Sequence, residues 1–184
     1  ITPDGSTLLV GRVPSGGAFS MDIVAVDIAS GELTELLATA AHEAFPSLSP
    51  DGRWVAYESD VEVEGRPEVY VSPYPDMPSR SFKISSGGGQ SPRWSGDGRE
   101  IFFVAPSQAI MVVAVATEPG FSAGAPTELI PPSLGIANQM ARFDISRQDG
   151  RFLMHRVPRH ERRGMTVVLN WFEDLKERVS DGQP

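Results

Sequence analysis

Ser49-Pro50-Asp51-Gly52-Arg53-Trp54-Val55-Ala56-Tyr57 is the stretch on which the fold turns, because the chain says it four times. Thr2-Pro3-Asp4-Gly5 leads into Leu8-Leu9-Val10, Ser95-Gly96-Asp97-Gly98 into Ile101-Phe102-Phe103, and Arg147-Gln148-Asp149-Gly150 into Phe152-Leu153-Met154. Glycine takes positive φ without a Cβ clash and aspartate tolerates the left-handed region, so Asp-Gly between apolar runs is a strong hairpin signal. Gly5, Gly52, Gly98 and Gly150 are 47, 46 and 52 positions apart. A supersecondary unit recurring at roughly 40–50 residues points to the blades of a β-propeller. Each repeated aspartate then has a structural task, accepting hydrogen bonds from backbone N–H groups of its own turn.

Working outward from that stretch, the second repeat is the most complete. Phe45–Ser49 reads as the inner strand, Arg53–Glu58 as the second, Glu68–Pro73 as the third and Phe82–Ser85 as the outer one, with a charged loop, Glu62–Pro67, in between. Pro73, Pro75 and Pro78 suit an edge that must refuse further pairing. The third repeat follows the same plan, with strands at Ser91–Ser95, Ile101–Phe103, Ile110–Val115 and Thr127–Ile130. The almost wholly apolar Ile110–Val115 predicts burial on both faces. The first repeat offers Leu8–Val10, Asp22–Asp27 and Leu33–Leu37, and the fourth Arg142–Ser146, Phe152–Met154 and Thr166–Trp171. The first thus lacks an inner strand and the last an outer one. Phe172, Leu175 and Val179 carry helical spacing, which predicts a short C-terminal helix.

The expectation is therefore one all-β domain, a propeller segment of about four four-stranded blades near 1–44, 45–90, 91–140 and 141–171, with a helix and tail over 172–184. Four is the lower end of the blade range, which favours part of a larger propeller over a closed ring. The chain opens inside a repeat without an initiator methionine, which predicts further chain upstream; a targeting or membrane segment would belong there. Apolar faces left open at the end blades would drive association.

Composition narrows the chemistry. The 184 residues carry a net charge of −8, which disfavours generic binding to nucleic acid or anionic membranes. With no cysteine there is no disulfide, thiolate metal site or cysteine nucleophile. No Gly-x-Ser-x-Gly elbow is present, and neither Gly16-Gly17 nor Gly87-Gly88-Gly89 has the lysine of a phosphate-binding loop. His155 and His160, beside Glu161, have a spacing that zinc could use, but a strand followed by an arginine-rich loop accounts for them better. The expectation is no catalytic residue, no cofactor and no metal. Trp54 and Trp94 read as blade packing. The basic loop Arg156, Arg159, Arg162 and Arg163 stands out on an acidic chain and is a candidate contact for a phosphate, an acidic peptide or lipid headgroups. Ligands of propellers enter at the mouth of the central channel, here near Phe45 and Ser49 and near Gln90 and Trp94.

Phe45-Pro46-Ser47-Leu48-Ser49-Pro50-Asp51-Gly52 and its echoes resemble the TolB-like, WD-type propeller repeats, which also occur in prolyl oligopeptidases. A narrower resemblance lies in Pro92-Arg93-Trp94-Ser95-Gly96-Asp97-Gly98-Arg99-Glu100-Ile101-Phe102-Phe103. It is similar to a repeat in the propeller that follows the kinase domain of many bacterial serine/threonine protein kinases, and Thr166–Leu175 looks like the end of those chains. The resemblance implies a non-catalytic recognition or scaffold module, with a protein or peptide partner and an extracytoplasmic position. The alternatives it leaves are a TolB-like periplasmic interaction propeller and the non-catalytic propeller of a prolyl-oligopeptidase-type hydrolase. Where the fourth turn has Arg147-Gln148-Asp149-Gly150, such repeats more often carry Ser-Pro-Asp-Gly. The kinase motifs themselves are absent from these residues.

Overall fold

A computed structural model describes residues 1–14, 20–132 and 143–154. The basic loop, Gly16-Gly17, His155, His160, Thr166–Trp171 and the C-terminal helix expected from the sequence lie outside them. Among the described residues every strand pairing is antiparallel, in four sheets. The first holds β1 (Thr7–Arg12), β2 (Asp22–Asp27) and β3 (Leu33–Leu37) in that order. The second runs β4 (Glu43–Leu48), β5 (Trp54–Ser59), β6 (Glu68–Pro73) and β7 (Phe82–Lys83). In the third, β8 (Gln90–Trp94), β9 (Glu100–Val104) and β10 (Ile110–Ala116) are followed by β11 (Ser122–Ala123) and β12 (Thr127–Ile130), both paired with β10. The fourth contains β13 (Phe143–Ile145) and β14 (Phe152–Met154).

Successive residues of a strand point to opposite faces, and that alternation explains why the second strands are unbroken apolar runs. In β5, Val55 and Tyr57 join Leu9, Ile23 and Leu36 of the first sheet, while Ala56 joins Trp94, Ile101 and Phe103 of the third. In β9, Ile101 and Phe103 face the second sheet, and Phe102 and Val104 pack with Phe143 and Ile145 of the fourth. Three apolar seams thus join four sheets face to face. The strand β10 is different: Val113 is fully buried, but Ala114 and Ala116 are exposed, so its apolar run is not covered on both faces as the sequence predicts. The outer strand β7 stops at Lys83 instead of Ser85, because Ser85 Oγ is taken by Val69 N–H at 2.7 Å and by the Glu68 carboxylate at 2.5 Å.

The four Asp-Gly turns share one aspartate hydrogen bond and a left-handed glycine. Asp4, Asp51, Asp97 and Asp149 each accept, through Oδ1, the N–H two residues on, at 3.1, 3.1, 3.1 and 3.3 Å. Gly5, Gly52, Gly98 and Gly150 have φ between 67° and 74°. Hydrogen bonding holds these exposed aspartates below the usual carboxylate range; for Asp97 the Ser95 hydroxyl contributes most, then Arg99 N–H. In the fourth turn Ser146 occupies the place of Ser49 and Ser95, closing its loop through the same N–H to C=O bond five residues along. The Asp-Gly pair merely sits one position later within a loop of equal length, which accounts for one residue of the longer final spacing.

Neighbouring turns also stack. A Cβ on Gly52 would lie 2.9 Å from Pro3 Cδ, and one on Gly98 would lie 3.5 Å from Pro50 Cδ. Where proline would stand in the third turn the chain has Gly96, and there the carbonyl of Arg147 moves in. Trp94 adds a bond across the blades, its Nε1 donating to Ser47 O at 3.0 Å.

A candidate recognition mouth

The Asp-Gly turns leave the inner strands at one end of the sheets. At the other end, where chain enters β4 and β8 and where β5 hands over to β6, the structure has a cavity of about 770 Å³. His42 and Gln90 line it from the starts of the two inner strands; Glu58, Asp60, Val61 and Glu64 line it from β5 and the loop beyond. Of the places the sequence suggested for ligand entry, Gln90 borders this space, whereas Ser49 and Trp94 lie at the turn end. None of the Asp-Gly residues takes part in it.

The mouth is built by carboxylates bonded to backbone. Asp60 accepts His42 N–H on Oδ1 and Gly65 N–H on Oδ2, both at 2.8 Å, which fixes the loop against the entry to β4. Burial opposes ionisation of Asp60, but these hydrogen bonds and the nearby His42 hold its carboxyl below the usual range. Glu58, only 2 % exposed, reaches across to the next sheet and accepts Ser91 N–H at 2.7 Å. Ser91 has φ 53°, as does Phe45 one repeat earlier, and each lies where its inner strand loses register with its partner. A non-glycine residue in that region costs of order 1–3 kcal/mol, and the bond to Glu58 helps hold Ser91 there.

Glu43 begins β4 directly after His42. It is 1 % exposed; Thr39 Oγ1 donates to its Oε1, while its Oε2 has no hydrogen-bond partner. Burial pushes its carboxyl up, and the charges of Asp22 and Asp60 push the same way. Glu68, 3 % exposed, accepts Gly88 N–H at 3.0 Å and Gly87 N–H at 3.1 Å. The glycine run therefore spends two amides on an internal carboxylate and the third on the Pro67 carbonyl, and they are not offered to a phosphate.

Two features of the loop are left over from this framework. Among the described residues no hydrogen bond or ion pair engages the Glu64 side chain, and Val61 and Val63 stand 59 % and 44 % exposed. From the sequence this segment reads only as a charged loop, and His42 carries no assigned role. The alternation Val61-Glu62-Val63-Glu64 was the available signal. Among the described residues there is no group of three or more His, Asp or Glu placed to hold a metal, and no helix long and apolar enough to cross a membrane.

No protein-family profile matches the sequence, and no curated protein pairs with it by sequence. Comparison of the fold with solved structures is informative. TolB from Acinetobacter baumannii superposes with a TM-score of 0.55 at 18% identity, over 84% of this chain and 36% of its own. A protein of Agrobacterium tumefaciens assigned as TolB gives 0.54 at 22% identity, over 71% and 48%. The β-propeller domain of the Trilobed protease from Pyrococcus furiosus gives 0.50 at 17% identity, over 78% and 43%. The fold is a β-propeller. The chain spans less than half the length of each of these structures. Within the propeller the four sheets are blades, and the cavity lies at the end where inner strands begin.

Proposed function

We propose that this propeller is a non-catalytic recognition module whose working surface is the mouth at His42, Asp60, Val61 and Glu64. One observation carries the reading. Glu58 and Asp60 there hold backbone in place, and beside them lies an open cavity with the exposed Val61 and Glu64 at its rim. A site of that size, preformed and lined by both apolar and polar groups, is what a ligand pocket needs. The partner we propose is a protein or peptide, since a solvent-exposed valine pair beside a charge suits a contact patch better than it suits water.

For the setting we propose the extracytoplasmic sensor region of a bacterial serine/threonine protein kinase, in a single domain with blades near 1–44, 45–90, 91–140 and 141–171. The likeness of Pro92–Phe103 to the kinase-linked repeat supports it. A TolB-like periplasmic interaction propeller is the second reading, favoured by the shared fold.

The test is photo-crosslinking in extracts of the source organism, with benzophenone attached to Val61→Cys at the mouth and to Ser79→Cys on the outer rim. Discrete protein adducts are expected from position 61 and not from 79. Identical patterns from both positions, or none from 61, would count against a recognition surface at the mouth.

A further inference from the structure

We infer that the Glu43 carboxyl is a proton-sensitive tie between the first two blades and the wall of the mouth, tight when it carries a proton and slack when it gives the proton up. Three hydrogen bonds make the tie. Glu43 N–H donates to Met21 O at 2.8 Å, joining the second blade to the chain that enters β2 of the first. The Glu43 carboxyl accepts the Thr39 hydroxyl, and the same hydroxyl oxygen accepts Ala41 N–H at 3.0 Å. Ala40, Ala41 and His42, which line the mouth, lie between these two anchors. Glu43 stands behind that wall and acts on it through one hydroxyl.

The surroundings of Glu43 favour the acid over the anion. The residue is 1 % exposed, and its Oε2 has no hydrogen-bond partner. An anion taken out of water with an unbonded oxygen is far costlier than a neutral acid in the same place. The titratable groups that face it are Asp22 from β2, Asp60 from the loop after β5 and the Tyr57 phenol from β5, and none is a cation. Arg12 of β1 is engaged by Asp22 at 3.3 Å and Glu35 at 2.6 Å, and His42 acts on Asp60. Among the described residues no ion pair engages Glu43.

Burial is the main cause that pushes the Glu43 carboxyl up; the Thr39 hydroxyl works against it, and Asp22 and Asp60 add to the rise. In the fold Glu43 therefore keeps its proton at pH values where the unfolded chain has lost it. The junction is firmest at or below the usual carboxylate range and weakens as pH rises above it. The turn aspartates act the other way: hydrogen bonds hold them down, so their contribution is lost only as pH falls below that range. Once ionised, Glu43 gains by turning out toward water, which leaves Thr39, and with it Ala41, without a fixed anchor. Partner capture at the mouth is then favoured in acid; that last step alone rests on the recognition reading.

Amide exchange of the whole chain, followed from about pH 5 to about pH 8 and corrected for the intrinsic rise of exchange with pH, tests the tie. Protection of the Glu43 amide should fall as pH rises, by up to about tenfold per unit, the limit for one proton released. Val113, in the seam between the second and third blades, should keep its protection. Glu43→Gln matches the acid in shape, can accept the same bond from Thr39 and cannot ionise, so its amide at position 43 should show no such fall. A wild-type amide equally protected across the range overturns the inference, as does an equal fall in Glu43→Gln or a parallel fall at Val113. The wild-type comparison of Glu43 with Val113 decides even where the variant folds poorly. Photo-adducts at position 61 are a separate readout: their absence at every pH counts against the recognition reading, and the exchange result still judges the tie.

Discussion

Replacing Phe103 with alanine is expected to cost about 3–5 kcal/mol, the range for deleting a buried phenylalanine. Phe103 is 2 % exposed and stands in the seam between the second and third blades, among Ala56, Val69 and Val71 on one side and Ile101 and Val113 on the other. The cavity left behind would weaken two sheets and their union at once. Since domains are stable by only about 5–15 kcal/mol, much of the folding free energy would go. At roughly 2–4 °C per kcal/mol for a chain of this size, melting should drop by about 6–20 °C in calorimetry. Leu153→Ala is the control: at 76 % exposure it should shift stability by no more than about 0.5 kcal/mol. Equal melting points for the two variants would mean that the seam is not where the structure puts it.

Gly96→Ala is expected to be the most damaging of the small substitutions. Its Cβ would lie 2.1 Å from the Arg147 carbonyl oxygen and 2.8 Å from the carbonyl carbon, and neither atom can swing aside as a side chain would. Backbone must shift between the third and fourth turns, and overpacking of that kind costs about 1–3 kcal/mol. The expected loss is roughly 2–12 °C in melting temperature. Gly120→Ala, with nothing within 4 Å of the added methyl and no positive φ, should be nearly neutral. If Gly96→Ala were as mild as Gly120→Ala, the turns would not stack as described.

The two variants mark how far the sequence could be read. The blade plan was legible because each Asp-Gly turn is local: Asp51 and Gly52 meet their steric and hydrogen-bonding needs within six residues. Apolar runs such as Val55-Ala56-Tyr57 then announce strands covered on both faces. The stacking of Pro3 on Gly52 and of Arg147 on Gly96 was not legible, since nothing at Gly96 itself names a residue 51 positions away. The shorter β7 was missed for a similar reason. Ser85 has a strand-like neighbourhood, and the distant Val69 N–H and Glu68 carboxylate remove it from the ladder.

The mouth escaped the sequence more completely. Glu58 and Asp60 look like ordinary surface acids at the end of a strand, the usual reading of charge beside a loop. The burial of Glu58 follows from the next blade's arrival, with Ser91 N–H, 33 residues on, bonded to it, while Asp60 is held by His42 and Gly65 of its own blade. Conversely, the arginines that looked most like a binding loop, Arg156 to Arg163, lie outside the described residues.

Amide hydrogen exchange at Ser91 tests the built mouth most directly. If Glu58 holds that amide across the blade junction, Ser91 should exchange on the order of a thousandfold more slowly than an unprotected amide, opening only with large-scale unfolding. Glu58→Ala should release it while leaving Val113 in the third blade protected. A Ser91 amide that exchanges freely in the intact protein would contradict the account, for the mouth would then have no fixed wall.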